Sequence, residues 1–142
     1  MELQKRFTEL LGRIGFIEEN IPNHWLNLEK AYSKKSRHYH NLTHLEEMIA
    51  CYHTYKKQLQ FPDEVLYAIF YHDIIYKSTQ KDNELKSAEL ALELLPNNAK
   101  VNKQIIFDMI LATKHHASKG VDDEKWLIDF DLRILAKDWE EY

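Results

Sequence analysis

Cysteine is nearly absent. With Cys51 as the only thiol, the chain has no intrachain disulfide and no thiolate zinc cluster. That usage fits a reducing compartment, and Met1 leads into Glu2-Leu3-Gln4-Lys5-Arg6 rather than an apolar leader, so a cytoplasmic location is expected. No apolar run approaches the roughly 20 residues that span a bilayer, so no membrane partner is expected. Surplus positive charge is missing too. Nineteen Lys and Arg stand against 23 Asp and Glu, for a net charge of −4, which argues against a dedicated nucleic-acid binder. Glycine and proline number three each, so the chain has few forced breaks. Segments of period-two hydrophobicity are absent, and strand content should be near zero.

What the chain does have is helical periodicity and histidine. Over 142 residues, 44% are apolar, enough for one domain, 1–142, with a real core. Leu3, Phe7, Leu10, Leu11 and Ile14 predict a helix over 2–12 ending near Gly12 and Gly15. Asn23 can cap a second helix through Trp25, Leu26, Leu28 and Tyr32. Thr43 and Glu46 match a capping box, predicting a third helix to about Lys57, with His44 in its first turn and His40 just ahead of it. Pro62 and Asp63 open a fourth helix, expected to run on towards Ile74 and Ile75. A fifth covers Glu84–Leu95 and stops at Pro96. A sixth follows Asn97-Asn98 through Val101 and Ile110, and the last begins near Asp122-Asp123. The expected fold is an all-α bundle of about seven helices. The eight histidines cluster at 38, 40, 44, 53, 72, 115 and 116, with His24 apart.

Two places carry acids where acids are costly. His72 extends the buried stripe of Val65, Ala68 and Ile69, and Asp73 sits one step round on a core-facing edge. An ionised carboxylate there needs a partner. Imidazole with carboxylate is an ordinary ligand set for a divalent metal, although a core histidine bonded to main chain beside an Asp at a helix end has the same pattern. In the last helix Asp131 has Leu127 and Ile128 one turn before it and Ile134 and Leu135 one turn after, so it points inward. Asp129 has the more mixed face. A buried Asp131 accepting bonds from a Tyr or from main chain fits that placement as well.

Taken in order, His44, His72-Asp73 and Asp131 resemble the HD superfamily of metal-dependent phosphohydrolases, all-helical proteins named for the adjacent His-Asp. Tyr39-His40-Asn41-Leu42-Thr43-His44 is similar to the Tyr-His-Asn-x-x-His motif of its cyclic-nucleotide phosphodiesterases. Phe130-Asp131-Leu132 resembles the segment that supplies the last ligand. Together with Arg37, with Asp82-Asn83-Glu84-Leu85-Lys86-Ser87-Ala88 and with Thr113 to His116, these motifs look most like a bacterial group of predicted HD phosphohydrolases. The likeness spans residues 37 to 133. It implies metal ligands His44, His72, Asp73 and Asp131, with His40 as general acid. Members of that group usually continue for several helices past the last Asp, so part of the pocket wall is expected to be absent or supplied by a second subunit, as in a homodimer.

The chemistry the resemblance implies is hydrolysis of a phosphoester, a nucleotide or related small molecule. Two imidazoles and two carboxylates suit Mn²⁺, Mg²⁺ or Fe²⁺, with Zn²⁺ or Ni²⁺ as further options. Asp73, beside the activated water, would accept its proton, and His40 would protonate the leaving oxygen. Arg37, Lys77, Lys114, His115 and His116 are the substrate-binding candidates, the cations for phosphate oxygens. Two rivals remain: a non-hydrolytic nucleotide-binding HD sensor, and a diiron HD oxygenase that would need further His ligands, one place for which His115 or His116 could fill.

Overall fold

A ten-residue helix with almost no wet face lies at the centre of the chain: in Pro62–Tyr71 every residue from Glu64 to Tyr71 is buried. The chain, here a computed structural model, is described at residues 2–34, 41–77, 82–114 and 120–141, with side chains described as far as Arg133. These residues form seven α-helices and, among the described residues, no strand: α1 Glu2–Ile14, α2 Ile21–Tyr32, α3 Leu42–Tyr55, α4 Pro62–Tyr71, α5 Asn83–Leu94, α6 Lys103–Ala112 and α7 Asp122–Glu141. The expected all-α bundle of about seven helices is what the chain adopts. α4 packs against α1, α3, α5, α6 and α7, which is why it is apolar on every side. No described helix is long and apolar enough to cross a membrane.

Several boundaries differ from the sequence expectation, each for a local reason. α1 does not stop at Gly12; it runs on to Ile14, whose side chain joins the core, and ends at Gly15, whose φ of 111° favours glycine. α2 starts at Ile21 with Pro22 in its first turn, so Asn23 lies inside the helix and does not cap it. The cap of α3 is Asn41, whose Oδ1 accepts from the His44 main-chain N–H at 3.1 Å; the expected capping box from Thr43 does not form, because Thr43 is already the second helical residue. α6 begins later than expected, behind Asn102, whose Oδ1 accepts from Ile105 N–H at 3.2 Å.

α4 stops at Tyr71 instead of continuing to Ile75. Its last carbonyls are all answered, as a buried helix end requires. His72 N–H donates to Ala68 O at 2.8 Å, the His72 ring to Ile69 O at 2.7 Å, the Tyr32 hydroxyl to Phe70 O at 2.9 Å, and Ile74 N–H to Tyr71 O at 3.2 Å. The segment that follows is held by α5. Ser87 Oγ accepts from Ile75 N–H at 3.0 Å and donates to Ile75 O at 3.3 Å, while the Asn83 amide accepts from Lys77 N–H at 3.2 Å and donates to Lys77 O at 3.0 Å. Asn83 and Ser87 are one helical turn apart and share a face, which explains the Asn-x-x-x-Ser spacing.

Candidate metal centre

α3, α4 and α7 pack against one another in all three pairings, and each brings one side chain to a common point. α3 brings His44 from its first turn, held there by the Asn41 cap. α4 brings His72, which is its C-cap residue. α7 brings Asp131 from the stripe that also carries the buried Leu127, Ile128 and Phe130. His44, His72 and Asp131 each offer a ligand atom within 4.8 Å of the others, and all three are buried. This group could hold a metal ion.

The distances are specific. His44 Nε2 lies 2.9 Å from Asp131 Oδ1, and His72 Nε2 lies 3.8 Å from the same oxygen. Ligands about 2.1 Å from one ion are about 3–4 Å apart, so these spacings match a coordination shell. Asp73 stands a little aside. Its Oδ2 is 3.0 Å from His72 Nε2, and it is buried, but it is not a member of the three-residue group. Asp129, two residues before Asp131 on α7, is half-exposed in an ion pair with Arg133 at 2.8 Å.

The ring of His72 decides what the group can do. Its Nδ1 is 2.7 Å from a carbonyl oxygen, which can only accept, so Nδ1 carries a proton. Nε2 then points into the centre, close to two carboxylates but in hydrogen-bond geometry with neither. Buried atoms of this kind are rare and call for an ion or proton. Burial alone would lower the imidazole pKa; the Asp73 carboxylate first, then Asp131 and the Ile69 carbonyl, outweigh it and lift it to about 9. Two carboxylates facing one inward imidazole nitrogen favour positive charge at that point. A histidine whose far nitrogen is anchored to main chain is also the usual arrangement in metal ligation.

The remaining sequence candidates separate cleanly. Lys77 and Lys114 are exposed. Arg37, His40, His115 and His116 lie outside the described residues. Sequence reasoning missed Tyr32 altogether as a site residue. Its hydroxyl, besides donating to Phe70 O, accepts from Asp73 N–H at 3.1 Å, and the residue is fully buried. The signal was available: a Tyr on the buried stripe with Trp25 and Leu28 needs a partner for its hydroxyl. Asn41 and Ser87 stood within quoted motifs but without a structural role.

Comparison with family models, with curated proteins and with solved structures gives no match. Function therefore rests on the residues and their geometry.

Proposed function

We propose that the chain is a metal-dependent phosphohydrolase of the HD type, acting on a nucleotide or related small phosphoester. The observation that carries this reading is the buried meeting of His44, His72 and Asp131, with Asp73 against His72. The order His, His-Asp, Asp in sequence and the meeting of His44, His72 and Asp131 in space both support this reading. The donor set of imidazole and carboxylate without thiolate suits Mn²⁺, Mg²⁺ or Fe²⁺.

When bound, such an ion lowers the pKa of a water and polarises a phosphoryl oxygen. The chain's own residues do the rest. His44, His72 and Asp131 would hold the ion, and the anchored Nδ1 of His72 keeps its Nε2 turned inward. Asp73 would serve as a fourth ligand and as acceptor of the proton that leaves the nucleophile. His40, one residue ahead of the Asn41 cap in sequence, donates a proton to the leaving oxygen, a task suited to imidazole near neutral pH. Lys77 and Lys114 present exposed ammonium groups for phosphate oxygens, with Arg37, His115 and His116 as further substrate contacts.

The test is metal analysis of the purified protein together with hydrolysis of a panel of phosphoesters, on wild type, His44→Ala and His40→Ala. His44→Ala should lose metal and activity together. His40→Ala should keep metal and lose roughly a hundredfold in turnover, and less for a nitrophenyl ester, whose oxygen leaves without help. Metal-loaded wild type that hydrolyses none of them would favour a nucleotide sensor instead, and two irons per chain would favour an oxygenase.

A further inference from the structure

α2 contributes no residue to the metal group, yet its last residue touches the main chain on both sides of His72. We infer that Tyr32 is a positioning residue for the metal centre: its hydroxyl, bridging Phe70 O and Asp73 N–H, sets where the His72-Asp73 pair stands. The inference rests on the metal reading above and adds a residue to it.

The geometry is that of a staple. A Tyr hydroxyl has one proton to give and lone pairs to accept with. Tyr32 gives its proton to the carbonyl two residues before His72, at 2.9 Å, and accepts the N–H of the residue after it, at 3.1 Å. Between those two bonds the chain leaves the helix: His72 has φ −62° and ψ −28°, and Asp73 lies beyond the last helical residue. A helix end without a glycine is free to fray or to extend by a turn. Extension would carry Asp73 N–H to the Ile69 carbonyl, the acceptor now used by the His72 ring. By holding Asp73 N–H elsewhere, Tyr32 leaves that carbonyl to Nδ1, and so keeps Nε2 pointing at Asp131. Ser87 continues the same strap two residues on, through Ile75.

Tyr67 supplies the control. It is equally buried, and its hydroxyl also serves one main-chain carbonyl, Ala91 O at 2.7 Å, on the α5 side of the core. Co²⁺ is titrated into wild type, Tyr32→Phe and Tyr67→Phe, and the visible spectrum of the bound ion and the melting temperature of each metal-free protein are recorded. Both variants should melt lower. Tyr67→Phe should bind Co²⁺ as wild type does, with the same spectrum. Tyr32→Phe should bind it ten- to a hundredfold more weakly, with a shifted spectrum, the size usual for a lost supporting bond. Equal affinity and spectrum in Tyr32→Phe and wild type would overturn the inference and leave the metal reading standing. Wild type that binds no Co²⁺ would overturn the metal reading, and this inference with it. If Tyr32→Phe does not fold, amide exchange in wild type decides. Saturating Zn²⁺ should slow exchange at Asp73, bonded to the Tyr32 hydroxyl, more than at Phe61, bonded to Asp123 outside the metal group; equal slowing overturns the inference.

Discussion

The chain buries carboxylates in two different settings. Asp123 and Glu64 serve main chain. Asp123 accepts from Gln60 N–H at 3.0 Å and from Phe61 N–H at 2.5 Å, tying the start of α7 to the entry of α4, and Glu64 accepts from Asn102 N–H at 2.8 Å at the cap of α6. Asp73 and Asp131 serve imidazoles: one meets His72, the other His44 and His72. Burial is similar, since all four are under 10% exposed, so burial alone does not mark a metal centre. The partner does. A carboxylate on an amide completes a helix end. A carboxylate on an inward-facing nitrogen, with a second carboxylate beside it, leaves a place for a cation.

The largest expected effect is on the first setting. Asp123→Ala removes the acceptor of two main-chain N–H groups at once, at about 1–3 kcal/mol for each donor left without a partner, or about 4 kcal/mol in all. Urea unfolding measures it. Metal affinity of the folded fraction should not change. A variant that keeps its stability and loses metal would collapse the distinction between the two settings.

The second effect is a pH dependence that only the imidazole setting can produce. His72 has a folded pKa of about 9, above its ordinary 6.5, so the folded chain holds the proton more tightly than the unfolded chain does. Its contribution is complete below pH 6.5 and is lost as pH rises through 9, of order 3 kcal/mol across that window in the metal-free protein. Asp131→Asn, which removes one of the carboxylates that raise this pKa, should flatten the slope, and Asp123→Ala should leave it. With saturating Zn²⁺ the sign reverses: the ion displaces the proton, so binding should tighten by up to tenfold per pH unit over the same range. Chelator-treated protein whose stability is flat from pH 6.5 to 9 would mean that Nε2 is not held between the two carboxylates.

Third comes the ion itself. At a hundredfold excess over Kd, a ligand that binds only the native state stabilises it by about 2.7 kcal/mol. Wild type and Asp123→Ala should both gain this in thermal unfolding with Mn²⁺. Asp131→Asn keeps the side-chain shape and should gain almost nothing. A full gain in Asp131→Asn would remove Asp131 from the ligand set.

How much of this was legible beforehand follows the same division. Helical periodicity, and for α4 an apolar run opened by Pro62, located all seven helices of the described residues. The inward face of Asp131 was readable from Leu127 and Ile128 a turn below it, and the outward face of Asp129 from its mixed neighbours. Helix ends were read less well. Thr43-x-x-Glu46 is a good capping pattern, but Asn41 lies two residues earlier and takes the cap. The end of α4 was invisible because one of the bonds that closes it comes from the hydroxyl of Tyr32, 38 residues away from the carbonyl it serves. Asp123 and Glu64 were unreadable as main-chain acceptors for the same reason, since their donors come from other parts of the chain. His40, Arg37, His115 and His116 lie outside the described residues, so their roles rest on the sequence.

The smallest effect gives the sharpest form of the comparison. Glu64→Gln exchanges a carboxylate for an amide of the same shape, and the amide oxygen can still accept from Asn102 N–H. What is lost is the negative charge at the start of α6, where Asn102 also takes the Ile105 N–H and the helix dipole favours an anion. That is worth under about 1 kcal/mol. The same isosteric change at Asp131 should leave the protein unable to gain stability from metal, because there the charge, and not the acceptor oxygen, is what the site needs. Urea unfolding of both variants, with and without Zn²⁺, reads the contrast directly: a small shift in Glu64→Gln that is the same in both conditions, and a shift in Asp131→Asn that is larger with Zn²⁺ than without it. If the two variants respond alike, the chemical difference between the amide-serving and the imidazole-serving carboxylates has been drawn in the wrong place.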